Sequence, residues 1–344
     1  MNRPLNLRVT GSTGGRALHI GRGGELYVAR RYQICRSDDW GATWRLDCFV
    51  PGSGWKPLAA KSRLAARLLR YYIAAFEVLG DGSRIAVARD GLYRAGPGEV
   101  RMSRVFRITR GSRPLNLAVD GSRVLFGEYG NLDACEVFVY VSENGGRTFS
   151  VGYRFPKGDI RHVHNVLVDP YHDGYWVFVG DYDRHPGIGS LSKDLQTLEW
   201  LNRGSQRHRA VAALIEPDCL IYGTDSDCQQ NAIVRIDKRS GKVHDLREVE
   251  SCSLYATTFG GVRVISTGVV PNLAGNSNEC SLYASRDGAQ WERLLVYKKD
   301  RHHTKYFQFG TIVLPYAYHS GPRGMYSGQA IEGMDDRVSF LELS

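Results

Sequence analysis

The run Ser37-Asp38-Asp39-Trp40-Gly41-Ala42-Thr43-Trp44 spells Ser-x-Asp-x-Gly-x-Thr-Trp, and it comes back along the chain. Ser142-Glu143-Asn144-Gly145-Gly146-Arg147-Thr148-Phe149 repeats it with Asn for Asp and Phe for Trp. Ser285-Arg286-Asp287-Gly288-Ala289-Gln290-Trp291 is one residue shorter, and Ser192-Lys193-Asp194-Leu195 through Trp200 is a looser copy. A short Asp or Asn side chain accepts hydrogen bonds from backbone N–H groups two to four residues on. Gly supplies the positive φ of a tight hairpin, and the closing aromatic covers it. One such turn is unremarkable, whereas several mark a repeat architecture, and the copies at 142, 192 and 285 are spaced by one and three steps of about 48 residues from the first of them.

The turns resemble Asp-boxes, the hairpin signature of sialidase-type β-propellers with BNR repeats. The resemblance implies an all-β chain, and 344 residues at that period give about seven units. The expectation is therefore a single-domain, seven-bladed β-propeller of four-stranded antiparallel blades over residues 1–344. Short β-rich runs between turn residues fit its strands, among them Leu26-Tyr27-Val28-Ala29, Ile85-Ala86-Val87-Ala88, Trp176-Val177-Phe178-Val179 and Leu220-Ile221-Tyr222. An unpaired edge would be exposed, so the N-terminal strand is expected to complete the sheet made by the C-terminus. One segment departs from the pattern. Residues 57–75 are rich in Ala, Leu and Arg, with Lys61, Arg63, Arg67 and Arg70, and predict a helical or rim insertion, or a basic face for a membrane surface or partner.

Formal net charge is +9, with basic residues dispersed and never five in a row. That favours an acidic polysaccharide over nucleic acid as partner. Seven cysteines without a Cys-x-x-Cys pair read as free thiols of a reducing compartment, with a metal cluster of Cys219, Cys228, Cys252 and Cys280 as the alternative. Residues 1–20 hold no signal-peptide core and no run is long enough to span a membrane, so the chain as given reads as cytoplasmic and monomeric. An extracellular or periplasmic setting requires an export signal outside it.

In a propeller the first strands line the axis, and loops converge at its ends. Arg161-His162-Val163-His164-Asn165 places His162 and His164 on one side of a first strand. The loop Gly180-Asp181-Tyr182-Asp183-Arg184-His185-Pro186 follows one strand pair later, so His164 and His185 are expected to meet near the axis. Corresponding loops offer Glu128, Asp225 and Gln230, and the last unit offers His319 and Arg323. Asp159, His162 and His164 form a possible divalent-metal set.

This arrangement is similar to seven-bladed polysaccharide lyases of the ulvan-lyase and oligogalacturonate-lyase kinds. The ulvan lyases resemble it in two channel histidines about twenty residues apart, with Tyr and Arg from later blades. The oligogalacturonate lyases hold a metal through Gln-x-x-His-x-His, where this chain has Asp159-Ile160-Arg161-His162-Val163-His164. The Arg-Ile-Pro opening of sialidases is absent, Arg107-Ile108-Thr109 being its nearest echo. The lyase resemblance implies β-elimination on a uronic acid, in which a base removes the C5 proton, a cation neutralises the carboxylate and an acid protonates O4. It assigns His164 or His185 as base or neutraliser, Arg209 as carboxylate partner and Tyr255 as acid. His162, Asn165, Glu128, Asp181, Asp225, Gln230, His319 and Arg323 contact the sugar in this reading. The alternatives are a glycoside hydrolase using two of Glu128, Asp181 and Asp225, and a non-catalytic carbohydrate- or protein-binding propeller.

Overall fold

Each Ser-x-Asp or Ser-x-Asn turn closes a hairpin with the bonds its residues can make. Asp39 Oδ1 accepts from the Thr43 N–H at 2.9 Å, Ser37 Oγ accepts from the Gly41 N–H at 2.8 Å, and Trp44 Nε1 donates to Gly41 O at 3.1 Å. The Thr43 hydroxyl and N–H, with Ser37, hold the exposed Asp39 carboxyl at about 2. The turns at 142 and 285 repeat this, with Thr148 N donating to Asn144 Oδ1 at 3.0 Å and Gly288 N to Ser285 Oγ at 2.9 Å.

The computed structural model describes residues 5–52, 61–88, 90–132, 134–181, 184–270, 277–304, 306–318 and 320–343. Strand β1 is Leu7–Gly14. A first sheet holds β2 (Arg16–Ile20), β3 (Leu26–Arg30), β4 (Gln33–Ser37) and β5 (Arg45–Phe49). After helix α1 (Arg63–Leu68) come β6 (Ala75–Val78), β7 (Arg84–Ala88), β8 (Gly91–Ala95) and β9 (Ser103–Arg107). The third sheet is β10 (Ala118–Asp120), β11 (Arg123–Gly127), β12 (Val137–Ser142) and β13 (Ser150–Phe155). The fourth is β14 (His162–Val168), β15 (Gly174–Gly180), β16 (Gly187–Ser192) and β17 (Leu198–Arg203). The fifth is β18 (Ala210–Ile215), β19 (Cys219–Thr224), β20 (Ala232–Asp237) and β21 (Val243–Glu248). Then follow β22 (Ser253–Phe259), β23 (Val262–Val269), β24 (Glu279–Ser285), β25 (Glu292–Lys298), β26 (Gly310–Val313), β27 (Tyr316–Ala317), β28 (Arg323–Gln329) and β29 (Arg337–Leu343).

The sheets are antiparallel meanders, and first strands touch from sheet to sheet, as β10 with β14, β14 with β18, and β18 with β22. This is an all-β propeller of one domain, and its blade count differs from expectation. Five sheets stand apart, four of four strands and one in which β27 joins β2–β5. The remaining strands form one eight-stranded sheet rather than two separate blades. The cause is the length of β23, whose Gly268 and Val269 run on to pair with Thr311 and Gly310 of β26. Gly268 permits the approach, since a Cβ there would sit 3.0 Å from Thr311 Oγ1.

β1 pairs antiparallel with β29, from Leu7 opposite Leu343 to Gly14 opposite Arg337, so both ends of the described chain share one sheet. The core lies between neighbouring sheets. Leu125 and Val139 of the third pack with Val166, Val177 and Val179 of the fourth. Each fully buried aliphatic side chain of this kind contributes about 1.5–3 kcal/mol.

The segment expected to be helical over 57–75 gives only the six-residue α1, and 57–60 lie outside the described residues. Arg70, at φ 50°, stops helical propagation, and Ala75 already belongs to β6. Arg63 clasps Asp335 through two 2.7 Å bonds and Arg67 pairs with Asp300, so both are spent on the propeller rim. No helix among the described residues is long and apolar enough to cross a membrane. All seven cysteines are free, and the expected Cys219, Cys228, Cys252 and Cys280 cluster does not assemble. Cys252 donates to Ser226 O at 3.3 Å and Cys280 to Tyr297 O at 3.7 Å, so each thiol is taken up locally.

Candidate functional site

First strands of a meander propeller run in one direction, so the residues at their starts gather at one end of the axis. Here Arg16 and His162 begin β2 and β14, Tyr72, Arg113, Arg209 and Gln308 lie just before β6, β10, β18 and β26, and Tyr255 is on β22. In β14 the register shifts between Val163 and Asn165, making His164 the extra residue of a bulge. A bulge lets two consecutive side chains, His164 and Asn165, both reach towards β18. His164 Nδ1 meets Ala210 O at 2.9 Å, and Asn165 Nδ2 donates to Val211 O at 2.7 Å. Asn116 and the Tyr316 hydroxyl also contact Asn165, at 2.9 and 3.4 Å.

Asp181 organises the cluster. Its Oδ1 lies 2.9 Å from His164 Nε2, 3.3 Å from His162 Nε2 and 3.2 Å from Arg209, and its Oδ2 lies 3.7 Å from Arg161. Gly180 before it is required by space, because a Cβ would fall 2.3 Å from His164 Cε1. Arg209 also meets Asp225 at 3.4 Å and Asp227 at 2.9 Å, so one guanidinium serves three carboxylates. Burial would raise the Asp181 carboxyl, but the two imidazoles outweigh it and hold it far below the ordinary range. Burial pushes Asp225 up, with Arg209 opposing.

The imidazole tautomers follow from their partners. His162 Nδ1 faces Gly130 O at 2.7 Å and His164 Nδ1 faces Ala210 O. A carbonyl only accepts, so both Nδ1 atoms carry protons. His164 Nε2 and His162 Nε2 both face Asp181 Oδ1, at 2.9 and 3.3 Å. Burial lowers the pKa of His162, with Asp181 opposing. The Tyr129 ring covers both imidazoles, at 4.4 Å from His162 and 6.1 Å from His164, and burial raises its phenol so that it keeps its proton.

His162, His164 and Asp181 place one ligand atom each within 4.8 Å of one another. Their chemistry suits a divalent cation, since backbone carbonyls on both Nδ1 atoms orient the rings with both Nε2 atoms turned to Asp181. Asp159, expected in this set, is instead held by Arg203 at 2.8 Å, and Asp181 takes its place.

The other expected site residues divide. His185 is half-buried, and among the described residues no hydrogen bond or ring contact joins it to His164. The ring beside His164 is His162, at 4.9 Å. Tyr255 accepts from Arg16 at 2.9 Å, on another side of the same end. Glu128 turns away to Arg110, and Gln230 is exposed with its amide on Val249 O. Arg323 sits on β28 over Trp40, 3.7 Å from Glu342, and His319 lies outside the described residues. Tyr129, Arg161 and the Tyr72 neighbourhood were not among the expected residues. The polar loops after second strands were the available signal for Tyr129.

At the opposite end, among the first-to-second-strand turns, a cavity of about 860 Å³ is lined by Arg22, Glu25, Asp81 and Arg147, with His19 and Glu77 at its floor. His19 Nδ1 lies 3.2 Å from Glu77, under the Tyr318 ring. Tyr316 on β27, beside β2, reaches across to Asn165 on β14 and so stands between the two ends.

No protein-family model and no curated protein matches this sequence. Solved structures match its shape. The WD40 β-propeller domain of Doa1 superposes with TM-score 0.60 at 9% identity, covering 98% of this chain and 97% of that one. YCF48 bound to D1 peptide gives 0.58 at 13% identity, covering 98% and 95%, and a chain of the mitotic checkpoint complex gives 0.59 at 10%, covering 99% and 97%. At these identities the likeness is one of fold.

Proposed function

We propose that the protein is a polysaccharide lyase that cleaves an acidic, uronate-containing polymer by β-elimination at the His162–His164–Asp181 cluster. The observation that carries the reading is the gathering of two buried imidazoles, His162 and His164, on the one carboxylate of Asp181 at one end of a propeller axis. In this scheme His162 Nε2 takes the C5 proton. The C5–H electron pair forms the C4–C5 double bond as the C4–O4 bond breaks, and the Tyr129 hydroxyl gives its proton to O4. His164 and Asp181 hold the base in place. A positioned acid–base pair of this kind accelerates reaction by about 10²–10⁴-fold. The net charge of +9 suits a polyanionic substrate.

Arg209 is fully engaged by three aspartates and so makes a poor carboxylate partner. A hydrolase pair has less support, because Glu128 is bound to Arg110 and Asp225 lies buried behind Arg209. The Ser-x-Asp turns support kinship with sialidase-type Asp-box propellers. In that reading the eight-stranded sheet is two blades of a seven-bladed ring, merged where β23 meets β26. A second reading, a non-catalytic binding propeller, is favoured by the enclosure of the imidazoles, whose side chains are 3% and 1% exposed.

Incubation with a panel of uronate polymers tests the choice. Unsaturated uronide absorbance that disappears in His162→Ala supports the lyase. Binding without any new product in the wild type supports the second reading, and reducing ends without unsaturation would mean hydrolysis.

A further inference from the structure

Beside the aspartate-rich cluster, the same end of the axis gathers arginines that form no ion pair among the described residues. Arg16 Cζ lies 5.0 Å and Arg113 Cζ 4.1 Å from the centroid of the Tyr72 ring, and Arg113 hydrogen-bonds the Tyr72 hydroxyl. Arg70 adds its charge from two residues upstream. Arg16 donates to neutral partners only, Gln329 Oε1 at 2.6 Å and the Tyr255 hydroxyl at 2.9 Å, and its buried Nε has no partner. Among the described residues none of Arg16, Arg70 and Arg113 forms an ion pair. The carboxylate whose charge reaches Arg16, Asp336, is paired to Arg63 at 3.7 Å.

We propose that Arg16 and Arg113, which flank the Tyr72 ring, form with the nearby Arg70 a carboxylate-binding subsite that holds one uronate of a polymer lying across this end of the axis. Guanidiniums brought together without a counter-charge repel one another and lose solvation, a cost that an arriving oxyanion removes. Each also presents a planar fork of donors that matches a carboxylate. Burial would raise the Tyr72 phenol, but Arg113, Arg16 and Arg70 outweigh it, so the ring already feels the field that awaits an anion. The subsite rests on the acidic-polymer reading above and supplies the carboxylate contact that Arg209 cannot.

The test separates binding from turnover. Calorimetry with the His162→Ala protein, using oligogalacturonate and its fully methyl-esterified form as probes, measures the subsite without cleavage. The acid form binds and the ester binds at least about tenfold more weakly, since each lost charge-assisted contact is worth about 1.5–3 kcal/mol. Adding Arg113→Gln or Arg16→Gln weakens the acid form about tenfold and leaves the ester unchanged. Inorganic sulfate competes with the acid form in the His162→Ala protein and no longer does so once Arg113→Gln is added. Equal binding of acid and ester, or acid binding indifferent to both arginine changes, overturns the subsite, even if the wild type proves to be a lyase. Arginine-dependent acid binding upholds it, even if no unsaturated product ever forms.

Discussion

Two arginine-centred clusters share one end of the propeller axis and settle their charge in opposite ways. Around Arg209, one guanidinium serves Asp181, Asp225 and Asp227, and the His164 ring is a further partner of Asp181. Around Tyr72, Arg16 and Arg113 converge, Arg70 adds its charge, and no carboxylate among the described residues pairs with them. The first cluster is complete in itself. It fixes two imidazoles on one carboxylate. The second is incomplete until an anion arrives. A site that must both hold a polyanion and move a proton needs one region of each sort.

The sharpest way to break the contrast is to remove the base. His162→Ala is expected to lower turnover of a cleavable uronate polymer by about 10²–10⁴-fold with affinity kept, and initial rates with parallel calorimetry check it. Loss of affinity together with turnover would mean that the two clusters are not separable.

Stability distinguishes them next. Arg209→Met strands buried aspartates and should cost about 3–5 kcal/mol in denaturant unfolding. Arg113→Met removes an uncompensated charge and should change stability by less than about 0.5 kcal/mol. Equal costs would contradict the assignment of one cluster as scaffold and the other as receptor.

Gly180→Ala forces a methyl group against the His164 ring, and overpacking of this kind costs about 1–3 kcal/mol. Its effect on turnover should exceed its effect on polymer binding, and paired kinetic and calorimetric measurements read that split.

The smallest effect is on pH. The folded state depresses the pKa of His162, so the stability it contributes is complete above the unfolded value of about 6.5 and is lost as the pH falls below it. Asp181 is depressed too, and its contribution is lost below the unfolded value of about 4. Melting temperature should therefore fall on acidification in two stages, and His162→Gln should reduce the upper one, to which the buried His208, also depressed, still contributes.

Much of this was legible in the chain. The Ser-x-Asp turns and alternating strands announced a ring of β-hairpins, and the run from Arg161 to Asn165 put His162 and His164 side by side. Asp181 followed from its loop after a second strand. Other features depend on contacts between sheets, which no local pattern encodes. Arg209 reads as a free cation until the loops bearing Asp181 and Asp225 close over it. His164 and His185 have a suggestive spacing, yet the bulge at His164 turns its ring to Ala210 O and Asp181. Tyr72 belongs to a stretch that reads as a basic helix, and only the arrival of Arg16 and Arg113 from other sheets makes it part of a charged cluster. The joining of β23 to β26 likewise needs Gly268 to meet Thr311, more than forty positions later in the chain.

The pairing of β1 with β29 works as a clasp. Seven paired positions, including Leu7 with Leu343 and Gly14 with Arg337, hold the circle shut. Peeling either strand away would leave the short pairing of β27 with β2 as the remaining strand contact across the closure. A rearranged chain with these two ends tethered and a fresh cut in the loop after β13 would keep every rung of the ladder, and with it the meeting of distant arginines that the circle makes possible.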